Sequence, residues 1–408
     1  MANSFEKLSP KEYAKLLAAA VVIGALGGVV GAAFHHAVDH VTHWRGEAPW
    51  LLYLLPAAGL LIPLLYSRLK ATGLNTDTVI EAGQGKRKAP FVLLPAIFLA
   101  SVITHFFGGS AGREGAALQI GGALGQETAK RFSLSETAAR CAVLAGMSAL
   151  FAAMFGTPVA AAVFSLEIAG VTALFPLAIG PSLAASFAAA GAAKLLGVAP
   201  MAFHMPLPFP GALSFVRLVI LAIFCGLLSD VFCVFIHHAA HFFNRFFKNS
   251  YVKVAAGGAV IVLLTLLVGN YDYNGAGMGI ITAALNGSAD TFAFAWKILF
   301  TAITIGCGYK GGEVVPSVFV GATFGCVVGN FLGLSPIFAA GVGMVAVFCG
   351  ATNAPLASFI LCLEMFGAAG WLFYLPACFV SYYFSSRHGL YHSQQLLYPK
   401  LPPAFSLK

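Results

Sequence analysis

The sequence predicts an all-α membrane protein made of two related halves whose helices are short, broken or tilted. Composition is the first observation: of 408 residues, 59% are hydrophobic and only 9% are charged, whereas soluble domains are close to 25% charged. The mean hydropathy is +0.86. The other two observations are an internal repeat and the density of glycine and proline inside apolar segments. Composition indicates that the chain is embedded in a membrane. The repeat and the glycines and prolines indicate two related halves built from interrupted helices.

Long stretches of the chain contain no Asp, Glu, Lys or Arg. About 20 apolar residues are enough to cross the hydrocarbon core of a bilayer. Strands of a membrane barrel would alternate apolar and polar residues, and these stretches do not, so they are predicted to be helices. The charge-free stretches are Leu16–Phe34, Leu51–Ser67, Cys141–Leu166, Ile168–Ala193, Val314–Leu363 and Met365–Ser386.

Glycine and proline interrupt the longest stretch, Val314–Leu363, which holds Pro316, Pro336 and Pro355 among many glycines. This pattern predicts several short helices rather than two continuous spans. Broken helices at membrane depth are tolerated where protein surrounds them and they line a site.

The net charge is +8, and basic residues cluster in two places. One holds Lys7, Lys11 and Lys15, and the other runs from Arg68 to Lys88. The positive-inside rule predicts that both are cytoplasmic, with an even number of crossings before Arg68. A nucleic-acid partner is not expected for so apolar a chain.

Two segments repeat. Residues 142–170 and 339–367 share Gly, Met, Phe, Pro and the pair Leu-Glu at an offset of 197, with Glu167 matching Glu364. Residues 104–125 match 304–325 in Thr and Gly at an offset of 200. The expected halves are therefore 1–200 and 201–408, divided in the proline-rich segment 197–211. Duplicated halves with interrupted helices are typical of transporters, although the Pro…Leu-Glu helices could serve packing alone.

The stretch GGSAGREGAALQIGGALGQ, residues 108–126, places Arg113 and Glu114 in a glycine-rich loop before a helix predicted over Ala116–Arg131. Unpaired N–H groups and the dipole make a helix N-terminus an anion site. A carboxylate there can occupy the site when ionised and leave when protonated. The alternative is that Glu114 only caps the helix, paired with Arg113 or a neighbour.

Three further loops could contribute to a site. GCGYKGGEVVPSVFVGATFG, residues 306–325, again leads from glycines into a helix, although Glu313 could simply bond to Lys310 or to free backbone N–H groups. In residues 71–83, Asn75 could donate hydrogen bonds or could cap a helix. Tyr391 follows the last apolar stretch, where an aromatic residue is often an interface anchor. The eight cysteines lie among apolar residues without a CxxC pair, so no metal site is expected.

Together these motifs resemble the CLC family of anion channels and proton-coupled anion transporters. GREG at 112–115 is similar to that family's GREG-P motif, GGEVVP at 311–316 to its G-x-F-x-P motif, and FGTPVAAAVFSLE and TNAPLASFILCLE to its paired Asn/Thr-x-Pro helices. The motifs occur in family order over nearly the whole chain. The resemblance implies two inverted halves per subunit, a homodimer, one pore per subunit and no cofactor. No cytoplasmic regulatory domain is expected after the second half.

The resemblance also implies site residues. Glu114 matches the gating glutamate that exchanges with the anion and carries the proton. Tyr391 matches the tyrosine facing the anion near the inner end. The positions expected to contact the anion are Leu74, Asn75, Gly112, Arg113, Gly115, Glu313, Val314, Val315 and Tyr391.

Departures from the chloride pattern favour the fluoride-exporting branch of that family. Leu74 and Asn75 replace the serine motif, Ala116 replaces the proline after GREG, and Val314 follows Glu313. Ile168 stands where proton-coupled chloride members have a second, inner glutamate. Val315 departs even from the fluoride branch, which has threonine there.

The expected function is therefore fluoride/proton antiport, with a chloride channel or chloride/proton exchanger as the alternative. The expected partners are a halide, protons, lipid and a second subunit, in the inner membrane of a bacterium. No HExxH or GxSxG motif suggests an enzyme.

Overall fold

A computed structural model describes residues 8–171, 174–207, 211–387, 389–398 and 400. Within these residues the secondary structure is helical, and one isolated bridge between Gly112 and Gly312 is the only extended pairing. The predicted all-α class is confirmed. Lys7 of the first basic cluster and residues 208–210 of the proline-rich segment lie outside the described residues.

The helices follow one another in the same order in both parts of the chain. The first set is α1 (Pro10–Glu47), a 3-10 helix (Pro49–Leu54), α2 (Leu55–Gly59), α3 (Leu61–Arg68), α4 (Thr76–Gln84), α5 (Leu93–Phe106), α6 (Glu114–Arg131), α7 (Glu136–Phe155), α8 (Pro158–Ala169) and α9 (Phe175–Leu195). The second set is α10 (Ala212–Phe246), α11 (Ser250–Val268), α12 (Met278–Leu285), α13 (Ala293–Gly306), α14 (Val314–Phe331), α15 (Pro336–Thr352), α16 (Pro355–Phe366), a 3-10 turn (Ala368–Gly370) and α17 (Trp371–Phe384). Helices α5, α6 and α7 begin 200 residues before α13, α14 and α15, and α8 begins 197 before α16, which are the two repeat offsets.

Six helices in the described part are long and apolar enough to cross a membrane, and a seventh span is the pair Pro49–Gly59 and Leu61–Arg68, bent by 45°. The remaining apolar helices are shorter. The stretch Val314–Leu363 forms three helices, α14, α15 and α16, as its prolines predict: Pro336 and Pro355 each occupy the first position of a helix, where a missing N–H costs nothing.

Helix α6 begins at Glu114, two residues before the predicted start at Ala116. The difference arises because the Ala117 N–H already donates to Arg113 O at 2.9 Å, so Arg113 is the N-cap and Glu114 the first residue. The predicted end at Arg131 is correct. This start places Glu114 directly among the unpaired N–H groups of the first turn.

Glycines bring consecutive helices into backbone contact. A side chain on Gly121 would meet the backbone oxygen of Gly146 across α6 and α7, and one on Gly321 would meet that of Gly343 across α14 and α15. Small residues at such crossings let the helix backbones approach closely. The resulting van der Waals packing stabilises helix contacts inside a membrane, where no hydrophobic driving force acts between helices.

The two Pro…Leu-Glu helices cap each other across the repeat. Glu364 of α16 accepts from Val159 N (3.0 Å) and Ala160 N (2.8 Å) at the start of α8. Glu167 of α8 accepts from Leu356 N (3.1 Å) and Ala357 N (2.7 Å) at the start of α16. These helices therefore do more than pack, because each neutralises free donors of the other.

A second reciprocal pair supports the same two-fold relation. Thr304 Oγ1 accepts from Ser110 N at 3.0 Å, and Thr104 Oγ1 accepts from Lys310 N at 3.2 Å. Both pairs join positions that the 200-residue offset makes equivalent. The two glycine-rich loops are thus held together by buried hydrogen bonds from the helices that precede them. The eight cysteines are buried and form no disulfide bonds.

Candidate functional site

The two glycine-rich loops meet at Gly112 and Gly312. Each residue donates its N–H to the backbone oxygen of the other, at 2.7 Å in both directions. Neither loop has room for larger residues here, because a Cβ on Gly112 would lie 3.0 Å from Val315 Cβ and from Pro316 Cδ. The bridge therefore brings the N-termini of α6 and α14 to one junction.

Glu114 is buried at this junction, with 2% of its surface exposed. Its Oε2 accepts from the Arg113 backbone N–H at 3.0 Å and lies 3.0 Å from the position of a Cβ on Gly112. The carboxylate thus folds back beside the first turn of α14, whose Val315 and Pro316 approach the same point. Glu114 both caps its own helix and lies close to the other N-terminus, so the geometry accommodates both interpretations of its role.

Arg113 pairs with two carboxylates. Its Nη1 donates to Asp39 Oδ1 of α1 at 2.5 Å, and its Nε lies 3.6 Å from Glu114 Oε1. Asp39 in turn lies 2.9 Å from His35 Nε2. A network of ionisable groups therefore runs from α1 to Glu114, and it gives the partly buried arginine the counter-charges that a low-dielectric setting requires.

Glu313 is the N-cap of α14, and Val314 and Val315 are the first two residues of that helix, both buried. Glu313 Oε2 lies 3.4 Å from the position of a Cβ on Gly115, so this carboxylate sits beside the start of α6. Each of the two glycine-rich loops thus contributes one acid next to the start of the helix that follows the other loop.

The α4 segment begins with a capping box. Asn75 Oδ1 accepts from Thr78 N at 3.2 Å, while Thr78 Oγ1 accepts from Asn75 N at 3.1 Å. Asn75 is exposed and Leu74 is buried. Of the two interpretations open for this loop, the capped helix start is the one observed. The link to α6 comes from Thr76, whose Oγ1 accepts from Gln119 Nε2 at 3.0 Å.

Tyr391 is buried, with 5% exposure, and its hydroxyl has no hydrogen-bond partner among the described residues. An interface anchor would keep its hydroxyl in the polar headgroup region, so the burial argues against that alternative. The hydrogen bond from Ser393 N to Asp77 Oδ1 of α4, at 2.8 Å, places the loop of Tyr391 on the α4 side of the junction.

The loop carrying Tyr391 is fastened to α4 through Ser393. The Ser393 N–H donates to Asp77 Oδ1 (2.8 Å), its hydroxyl donates to Glu81 Oε1 (2.8 Å), and its backbone oxygen accepts from Gln84 Nε2 (2.7 Å). The same Gln84 amide donates to Ala169 O at 2.9 Å, next to the buried Ile168. Three side chains of one helix thus fix the position of the tyrosine.

The structure brings Glu114, Gly112, Gly115, Glu313, Val314 and Val315 to one junction, with Arg113 at its side. Tyr391 joins the group through its loop, whereas Leu74 and Asn75 are connected to it only through the α4 contact with Gln119. No group of three or more His, Cys, Asp or Glu side chains in the described part of the chain could hold a metal ion.

Sequence reasoning did not select Asp39, Gln119 or Ser393. Asp39 could have been selected from the sequence, because it lies four residues after His35 in a long apolar helix. An ionised residue there needs a cationic partner. Ser393 carried none, since its role depends on a loop folding back onto a helix more than 300 residues earlier.

Known proteins of similar sequence and structure point to one family. The sequence model described as voltage gated chloride channel matches residues 58–386. A protein of Pseudomonas syringae pv. tomato named "Chloride/fluoride channel protein" is 34% identical over 95% of this chain and 88% of its own length. An H+/Cl− exchange transporter of Vibrio campbellii is 26% identical over 88% of this chain and 83% of its own length.

Solved structures agree. A CLC-type fluoride/proton antiporter superposes with a TM-score of 0.91 at 28% identity, covering 96% of this chain and all of that one. A cyanobacterial Cl−/H+ antiporter superposes with a TM-score of 0.82 at 23% identity, covering 93% of this chain and 95% of that one, and so supports the fold alone. The predicted arrangement of broken and tilted helices is confirmed.

Proposed function

Because the chain belongs to the CLC family of voltage-gated chloride channels and related anion transporters, we propose that it is a membrane transporter that exchanges fluoride for protons. The high structural similarity to a fluoride/proton antiporter supports this choice, as does the relative whose name includes fluoride. Its role is transport rather than enzymatic chemistry. The bacterial source of the relatives supports a place in the inner membrane, and the family supports a homodimer surrounded by lipid.

One observation carries the mechanism: the Glu114 carboxylate lies where the N-termini of α6 and α14 meet. When ionised it fills the anion site with its own charge. When protonated it no longer competes for the N–H donors, so an anion can bind there. Since the carboxylate and the anion exclude each other, binding of the anion is coupled to protonation of Glu114.

The other site residues have distinct proposed roles. Gly112, Gly115, Val314 and Val315 form the walls of the anion site, into which the free backbone N–H groups of the first turns of α6 and α14 point. Arg113, held by Asp39, balances the charge of Glu114 and of an incoming anion.

Glu313, Leu74, Asn75 and Tyr391 belong to the inner side of the pathway, on which α4 and the loop of Tyr391 converge. Since Ile168 is apolar, Glu313 is the inner carboxylate nearest to the start of α6. The two proposed halves, 1–200 and 201–408, each supply one acid.

The test replaces Glu114 with Gln, which keeps the shape but cannot be deprotonated. Purified protein in liposomes loaded with fluoride is followed with a fluoride electrode and a pH indicator. We expect proton uptake driven by the fluoride gradient to fall at least tenfold. The matched control is Glu127→Gln on the same helix, a carboxylate at the far end that pairs with Arg131, which should behave as the wild type. Proton uptake by Glu114→Gln equal to that of the control would refute the mechanism.

A second candidate function is chloride/proton exchange or chloride conduction. Val315 supports it, because the fluoride branch has a hydroxyl there and this chain has a buried apolar side chain. Fluoride and chloride efflux measured from the same liposome preparation distinguish the two functions. Fluoride is expected to leave faster; equal rates or a preference for chloride would favour the second candidate.

A further inference from the structure

A basic cavity lies between the α4–α5 loop, the end of α6 and the start of α7. Its volume is about 560 Å³. Lys130 in its wall is 16 residues after Glu114 on α6, which at 1.5 Å per residue separates the two by about 24 Å. The cavity is therefore distinct from the anion junction. Its ionisable lining residues are Lys86, Arg87, Lys88, Lys130, Glu136 and Arg140.

Five cationic side chains and one carboxylate line this cavity, and three of the cations are available to bind a ligand. Arg87 is partly neutralised by Glu81, at 3.4 Å. In the described part of the chain, no carboxylate lies within ion-pair distance of Lys86, Lys88 or Lys130. All three lysines are exposed, so their ammonium groups can turn toward a ligand.

Specific contacts fix the wall of the cavity. Gly85 has φ of +79°, and a Cβ there would lie 2.8 Å from Arg140 Nε, so the guanidinium group packs over the glycine. Arg140 Nε also donates to Gly83 O at 3.2 Å. This fixes one cation beside the turn that carries Lys86, Arg87 and Lys88. Ala82, Ala129, Leu134 and Ala139 add apolar surface to the same lining.

The cavity is on the face of the protein where α1 begins. Lys15 Nζ donates to Ser133 O at 3.2 Å, and Ser135 N donates to Glu12 Oε1 at 3.1 Å, so the start of α1 lies against the α6–α7 loop. The positive-inside rule assigns this face to the cytoplasm. That rule accounts for basic residues on this face, but not for their convergence from three elements onto one cavity.

We propose that this cavity binds a phosphate-bearing ligand, either the headgroup of an anionic phospholipid or a soluble polyphosphate. Arginine and lysine together suit phosphate oxygens, the former by planar donors and the latter by point charge. Basic pockets between membrane helices on the cytoplasmic side bind such headgroups. The apolar part of the lining suits the glycerol and the start of an acyl chain. The site does not depend on the identity of the transported anion.

Native mass spectrometry of the purified full-length protein tests this with three probes: cardiolipin, phosphatidylcholine and inorganic pyrophosphate. The variant is Lys86→Gln/Lys88→Gln/Lys130→Gln. The matched control, Lys11→Gln/Arg68→Gln/Lys70→Gln, removes the same charge from the predicted cytoplasmic clusters outside the cavity. Each basic group near an anionic headgroup contributes a factor of about five in affinity, so the cavity variant should bind about 100-fold more weakly.

The proposal is supported if the wild type and the control bind cardiolipin or pyrophosphate and the cavity variant does not. The probe that the wild type binds identifies the source of the phosphate. Cardiolipin retention with no pyrophosphate binding assigns a lipid, and the reverse assigns a soluble phosphate. Equal binding of both probes by the cavity variant and the control overturns the proposal. So does wild-type binding of neither probe above phosphatidylcholine.

Discussion

Replacing Glu167 with Ala separates a structural from a transport role for this buried acid. Glu167 accepts from Leu356 N and Ala357 N at the start of α16. The alanine variant leaves two backbone donors in a dry interior without an acceptor. Each unsatisfied donor costs about 1–3 kcal/mol, so the variant should lose about 2–6 kcal/mol of stability.

The assay is thermal unfolding in detergent, followed by intrinsic fluorescence, together with proton-coupled efflux normalised to folded protein. For a chain of this length, 1 kcal/mol corresponds to about 1 °C, extrapolating from the entropy of unfolding per residue, so the midpoint should fall by roughly 2–6 °C. Glu167→Gln keeps one acceptor oxygen and should lose about half as much. Because the acid is a cap, both variants should keep the wild-type ratio of anions to protons.

Two comparisons make the result decisive. Glu364→Ala removes the symmetric cap at Val159 and Ala160 and should lose a similar amount. Glu127→Gln breaks only an exposed pair, worth about 0.5 kcal/mol or less. An unchanged midpoint in Glu167→Ala, combined with loss of proton coupling in Glu167→Gln, would show that the acid relays protons and that its capping role is unimportant.

Three further predictions concern packing, the inner site and a cap. Gly146→Ala pushes a methyl group onto Gly121 O and should cost at least about 1–3 kcal/mol, whereas Gly191→Ala, with nothing near its Cβ position, should be neutral or slightly stabilising in the same melting experiment. Tyr391→Phe removes a hydroxyl with no partner among the described residues, so the melting temperature should be unchanged while fluoride efflux slows several-fold. Asn75→Ala removes the N-cap of α4 and should cost about 0.5–2 kcal/mol in unfolding by denaturant.

Much of the fold could be predicted because the repeat and the prolines mark helix boundaries. The 200-residue offset places the starts of α6 and α14 at equivalent positions, and Pro336 and Pro355 each begin a helix. These are local signals: proline limits the backbone, and glycine permits close crossings, whatever the distant context. The helix start at Glu114 was predicted two residues late, since apolar periodicity begins after the residues that perform the capping.

The parts of the site that could not be predicted depend on contacts between distant segments. Arg113 was considered only as a partner of Glu114, because nothing in the sequence specifies Asp39, 74 residues earlier in another helix. The shared Leu-Glu ending of α8 and α16 was visible as repetition. That each glutamate caps the other helix follows only once the two-fold arrangement sets them side by side.

On the proposed mechanism, the anion site lies where the two repeated loops differ in sequence. At the 200-residue offset, Arg113 is equivalent to Glu313, and Glu114 to Val314. An acid at the first position of both helices would add a further carboxylate beside Glu114 and Glu313 at the Gly112–Gly312 bridge, where mutual repulsion favours a protonated form. At the first helical position the observed pair has an acid in α6 and an apolar valine in α14, whose own acid, Glu313, stands one residue earlier as the N-cap. On the proposed mechanism the first supplies the competitor and the second supplies N–H donors that the competitor, or fluoride, can use.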